Sequence, residues 1–188
     1  MSGLRLLAAA ATPGLRRAVF GGDDDLDEGG LRAALALCDA GDLGGRADTW
    51  CCAPSRAALR TAAALGHDDA KADEALADPD YGTWTRLGLG DVAGAEPFGL
   101  QAWLTDPCAA PHGGESLAAV RRRAGAWLDQ QAGLRVVAVA HPVVVRAMLT
   151  HALGLPDDAV WQLDVAPLSL TRLTHRSGRW HLHLPPAG

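Results

Sequence analysis

RVVAVAHPVVVRAML, residues 135–149, decides the fold of this chain. Residues 136–140 are apolar, small or β-branched, and none is charged. Such a run predicts a strand buried on both faces, as in a parallel sheet. It stops at His141, Pro142 follows, and apolar residues then recur at helical spacing as far as Gly154. Proline suits a first helical turn, and glycine suits the position after the last. His141 is thereby predicted where a buried strand hands over to a helix. In open α/β sheets ligands bind there, outside the carboxyl ends of strands and against helix N-termini. By position alone His141 reads equally as a group that meets an anion and as a helix cap.

Composition sets outer limits on what surrounds this unit. The chain has 188 residues, 48% of them hydrophobic, and a formal net charge of −5. That length predicts a single domain over residues 1–188 with a substantial core. The acidic balance and lack of a basic tract argue against a nucleic-acid partner. No apolar run approaches the ~20 residues of a membrane span. After Arg5 only a short apolar run precedes Thr12-Pro13, which is not a signal-peptide layout, so a cytoplasmic protein is expected. Cys38, Cys51, Cys52 and Cys108 lack zinc-type spacing and read as reduced thiols. The Ala- and Arg-rich bias, with Lys71 the single lysine, suggests a bacterial genome of high GC content.

Elsewhere strands and helices alternate. Residues 4–11 predict a first strand that breaks at Thr12-Pro13-Gly14 into a loop carrying Arg16 and Arg17. Helices are expected over 31–39, over 55–65 with Ser55 as N-cap, over 96–104, and over about 115–131. In the last of these Leu117, Val120, Ala124, Trp127 and Leu128 share the apolar face, and residues 121–123 are expected to face water. Short strands are expected at 49–53, 160–165, 168–174 and 180–184. The order predicts an α/β fold, a three-layer α/β/α sandwich with a mostly parallel central sheet and a C-terminal antiparallel edge.

Taken in order, five segments resemble the histidine phosphatase superfamily, the phosphoglycerate-mutase-like fold. APSRAALRTAAALG (53–66) is similar to its S-P-x-x-R-A-x-Q-T-A helix, and ALADPDYGTW (75–84) to its L-x-E-x-x-x-G-x-W loop. PHGGES (111–116) is similar to its G-G-E-S helix start, and VVAVAHPVVVRAML to the strand and second catalytic histidine. LLAAAATP (6–13) lies where the R-H-G-x-T signature belongs. The resemblance implies the fold, a pocket for a small phosphomonoester, and phosphoryl transfer through a phosphohistidine without metal or other cofactor.

The departures from the family pattern fall on the chemistry. Counting back from Thr12, the nucleophilic histidine position holds Ala9, and the phosphate-gripping arginine before it is Ala8, so the R-H-G motif reads Ala8, Ala9, Ala10. The helix arginine falls on Ala57, with Arg56 one residue away, and the acidic residue falls on Asp78. Only the second histidine, His141, is intact. Phosphoryl transfer to histidine needs a neutral imidazole in line with the leaving oxygen, guanidinium donors around the phosphoryl oxygens, and an acid for the leaving alkoxide. Alanine supplies none of these. Ala9 is either an introduced change, which its A-x-A-A-T-P context would reverse without other changes, or natural drift, which Ala8 and the displaced Arg56 favour. The catalytic candidates are therefore His141, Asp78 and the vacated position Ala9, with Asp80 a rival acid. The phosphate-binding candidates are Thr12, Arg16 and Arg56, and His112 reads as structural. The expected function is a weak or inactive phosphatase for a small phosphomonoester. Two alternatives stand beside it: a non-catalytic module that binds a phosphorylated or anionic metabolite, and a repurposed enzyme in which His141 and Asp78 act without phosphoryl transfer. A homodimer is left open by the resemblance; Trp103 and Trp161 read as core before interface.

Overall fold

The computed structural model describes residues 3–41, 43 and 47–184. In chain order the elements are β1 (Gly3–Ala8), α1 (Pro13–Arg16), α2 (Glu28–Ala40), β2 (Thr49–Cys52), α3 (Arg56–Ala64) and β3 (Lys71–Ala72). There follow α4 (Leu89–Ala95), α5 (Pro97–Thr105), α6 (Leu117–Gln130), β4 (Arg135–Ala140), α7 (Pro142–Ala152), β5 (Leu170–Arg176) and β6 (Arg179–His183). Among the described residues no helix is long and apolar enough to cross a membrane.

The strand predicted over 136–140 lies near the centre of a six-stranded sheet ordered β3-β2-β4-β1-β5-β6. β1 through β4 run parallel, and β5 and β6 add an antiparallel edge. Residues 136–140 are buried on both faces, which is why they show no polar alternation. β1–β2 and β2–β3 cross in one direction along the sheet, and β3–β4 crosses back. With right-handed crossovers, α2 and α3 share one face and α6 the other. The helices pack accordingly, α2 on α3 and α6 on α7. The reversal falls at β4 and β1, whose carboxyl ends open onto the site described below.

Several boundaries are set by local chemistry that the pattern left open. Thr12 caps α1, its Oγ1 accepting from the Leu15 amide at 3.1 Å, so the expected loop begins as a short helix. Ser55 and Ser116 cap α3 and α6 in the same way. The strand expected at 160–165 is absent: a 3₁₀ turn spans Asp157–Gln162, and Val160 and Val165 are buried without pairing to the sheet. Their apolar alternation reports burial against the core rather than a ladder. Residues 121–123 do not all face water either. Arg121 pairs with Asp157, and Arg123 reaches Glu115 through Nε at 2.8 Å and Nη2 at 2.7 Å, leaving Arg122 exposed.

Beneath the sheet's carboxyl edge an aromatic cluster joins distant segments. The Phe20 ring lies 5.3, 5.4 and 5.5 Å from the rings of Tyr81, Trp84 and Trp103, and Trp103 lies 4.8 Å from Trp161. Trp103 is thus a core residue and not an exposed interface. Trp84 is wholly buried at the centre of the cluster. Trp84→Ala is expected to destabilise the fold by about 3–5 kcal/mol, read as a fall in the denaturant midpoint at unchanged slope.

Candidate functional site

β4 ends at Ala140 and α7 begins at Pro142, so His141 is the N-cap of α7 at the mouth of the sheet. Its Nε2 lies 2.8 Å from the Oγ of Ser55, the N-cap of α3. Two helix N-termini therefore meet at one hydrogen bond. Both residues border a cavity of about 350 Å³, together with Thr12, Ala57, Asp78 and Arg146. Phe20, Tyr81, Trp103 and Trp161 form an aromatic wall on the same cavity.

Asp78 is delivered to the cavity by the loop before Tyr81. Arg123 ties that loop down, donating to the carbonyls of Ala75 at 3.0 Å and Asp78 at 3.4 Å. Burial pushes the Asp78 carboxyl above its ordinary value, against the opposing attraction of His141 and Arg123, and its Oδ1 has no partner. Burial also pushes the Tyr81 phenol well up, with Asp78 adding to the effect. The sign of the Asp78 shift fixes a pH dependence. A carboxyl with a raised native pKa binds its proton more tightly in the folded state, so its contribution to stability falls as pH rises above the unfolded carboxylate range. Asp78→Asn is therefore expected to be more stable than the unaltered chain at pH 7, with the difference vanishing below about pH 4. Thermal melts of the two proteins across that range measure it.

The structure separates the residues expected to hold phosphate. Thr12 borders the cavity, but its hydroxyl oxygen is engaged in capping α1. Arg16 does not border it: its guanidinium pairs with Asp27 and its side chain is 59% exposed. That pairing also draws the Asp27 carboxyl down to about 2. Arg56 lies outside as well. Its amide donates to Asp23 Oδ1 at 2.7 Å, and it lines an adjoining polar cleft with Arg17, Arg86 and Asp91, which meets the cavity at Val19, Asp23 and Asp24. Ala9 is 2% exposed just past the end of β1 and is not among the residues that border the cavity. Ala57 does border the cavity. His112 is buried, accepts from the Gly114 amide at Nδ1 (3.0 Å) and stacks edge-on to Trp84, a structural placement. Asp80, the rival acid, is exposed and caps the Gly82 amide at 2.8 Å.

Ser55 and Arg146 are the side chains of the site that sequence reasoning missed. Ser55 was legible only as a helix cap. Arg146 carried a signal, being the one charged residue in the apolar run 143–149. Arg146 is the one guanidinium on the cavity wall among the described residues; Asp78 is shielded there, and the exposed Asp23 and Asp24 stand where the cavity adjoins a polar cleft that carries Arg17, Arg56 and Arg86. No group of three or more potential metal ligands occurs among the described residues.

The model of the histidine phosphatase superfamily, branch 1, matches residues 10–186. Glucosyl-3-phosphoglycerate phosphatase of Mycolicibacterium vanbaalenii is 33% identical over 117 residues, which cover 55% of this chain and 52% of that protein. A bifunctional protein of Mycobacterium tuberculosis is 31% identical over 108 residues, 54% of this chain and 30% of its own length. The chain thus spans between about a third and a half of these relatives. A mycobacterial glucosyl-3-phosphoglycerate phosphatase solved with VO3 superposes with a TM-score of 0.83 at 25% identity, covering 100% of both chains.

Proposed function

Since this chain belongs to the histidine phosphatase superfamily, we propose that it keeps the family's pocket and has given up phosphoryl transfer through an enzyme phosphohistidine. One observation carries the reading: the three positions where the family pattern places the nucleophile and two phosphate-binding arginines hold Ala9, Ala8 and Ala57. The cavity walls support it. A phosphomonoester dianion would meet the shielded Asp78 with Arg146 as the cavity's one guanidinium, while Asp23 and Asp24 stand at its exposed rim. Loss of a nucleophile alone lowers turnover on the order of a million-fold in enzymes where it has been measured. The likeness to glucosyl-3-phosphoglycerate phosphatases supports a small organic metabolite as occupant, and the aromatic wall favours one with an apolar portion and no free phosphate.

The test is hydrolysis of p-nitrophenyl phosphate by the unaltered protein. The expected rate is that of buffer. Turnover that disappears in His141→Ala would overturn the reading.

A further inference from the structure

We propose that Ser55 and His141 form a nucleophile–base pair that hydrolyses a neutral carboxylic ester with an apolar acyl group. The inference rests on the reading that phosphoryl transfer is lost, and it assigns a different reaction to the same cavity. Its foundation is the 2.8 Å contact between Ser55 Oγ and His141 Nε2, two side chains from distant parts of the chain that both border the cavity. With the imidazole proton on Nδ1, Nε2 accepts from the serine hydroxyl, the arrangement in which a base activates a nucleophile. The other bond to Ser55 Oγ, from the Ala58 amide, is long at 3.4 Å and leaves a lone pair available.

Charge favours an ester over a phosphate. An ester is neutral in the ground state and develops one negative charge on its carbonyl oxygen in the transition state. The site offers donors for one such charge. Ala57 and Val143 stand in the first turns of α3 and α7, border the cavity, and have amides without an intrahelical acceptor. Two helix N-termini thus add partial positive charge where an oxyanion would form. Asp78 borders the same cavity and, in its ionised form, opposes the charge of the imidazolium that forms at His141. The aromatic wall and Leu15 supply an apolar berth for the acyl chain.

The steps balance with water as the only co-reactant. Ser55 Oγ bonds to the carbonyl carbon as its proton moves to His141 Nε2. The C–O bond to the alcohol breaks, and Nε2 returns the proton to the departing oxygen. Water, deprotonated by His141, then attacks the acyl-serine, releasing the carboxylic acid and restoring Ser55.

The experiment combines turnover with covalent trapping on the full chain. The unaltered protein is expected to hydrolyse p-nitrophenyl butyrate at least ~100-fold faster than His141→Ala. A fluorophosphonate probe should label it at Ser55, located by peptide mapping, and fail to label His141→Ala. Ser55→Asp retains a capping carboxylate for α3 and removes the nucleophile; it should melt near the unaltered protein and lose both signals. Absence of ester turnover, turnover that persists in Ser55→Asp, or a label on another residue would each overturn the proposal. Parallel assays with p-nitrophenyl phosphate read the loss of phosphoryl transfer separately, so either conclusion can fail alone.

Discussion

Ala9→His alone is expected to leave p-nitrophenyl phosphate hydrolysis within about tenfold of the unaltered protein, whereas Ala9→His with Ala57→Arg should exceed the single variant by roughly 10²–10³. Position 9 is packed and outside the cavity wall, so a new imidazole there overpacks the sheet end and destabilises by about 1–3 kcal/mol before any chemistry begins. Even where it reaches the cavity, the phosphorus it would attack carries oxygens that meet the shielded Asp78 and only Arg146. Nucleophile and charge stabilisation act as a unit, and restoring one without the other recovers little. Position 57 is packed as closely, at 2% exposed, but it borders the cavity in the first turn of α3, so an arginine there has the cavity to extend into and brings a bidentate fork. Phosphate hydrolysis and the thermal midpoint measured on both variants separate the two effects. A large gain from Ala9→His by itself would show that the cavity still holds phosphate well, and that only the nucleophile is missing.

How much of this was legible in the sequence depends on the range of the interaction. The strand, the turn at His141-Pro142 and the helix behind it follow from a contiguous apolar run and a proline, both local signals. The caps at Thr12, Ser55 and Ser116 are local too. The pairing of Ser55 with His141 joins residues 86 apart and rests on the way β2 and β4 lie side by side, which no window of sequence contains. Arg16 and Arg56 were ambiguous for the same reason. Both are close in sequence to the first two motifs, yet Asp27 draws Arg16 away, and Arg56 lines the adjoining polar cleft rather than the cavity itself. Residues 160–165 show the opposite failure: a strand-like alternation buried by packing, with no partner strand to pair with. That positions 8, 9 and 57 are alanine is readable directly, and alanine supplies neither a nucleophile nor a charge wherever it sits.

Gly114→Ala should lower stability by about 3–5 kcal/mol, while Gly113→Ala, one residue away, should lower it by only about 1–2 kcal/mol. The contrast lies in what a methyl group would meet. At Gly114 a Cβ would stand 2.1 Å from the Asp80 carbonyl oxygen, and at Gly82 one would stand 2.0 Å from the His112 carbonyl oxygen. Both obstacles are backbone and cannot rotate away. The loops at 80–84 and 112–115 cross here in direct backbone contact, Glu115 donating to the Asp80 carbonyl at 2.7 Å and Thr83 to the His112 carbonyl at 2.9 Å. A methyl at Gly114 must part them and break the first of these bonds. Gly113 has a φ of +74°, but a Cβ there would meet nothing within 4 Å, so alanine incurs only the left-handed backbone penalty. For a chain of this size the difference amounts to a thermal midpoint lower by several degrees in Gly114→Ala. The effect reaches the cavity because the same crossing holds the loop that presents Asp78 and Tyr81. At a temperature where both variants remain folded, Gly114→Ala should lose the Asp78-dependent fall in stability between acid and neutral pH as its loop opens and the carboxyl is hydrated. Gly113→Ala should keep that fall, and equal pH profiles for the two would mean that the glycine crossing serves stability without positioning the carboxyl.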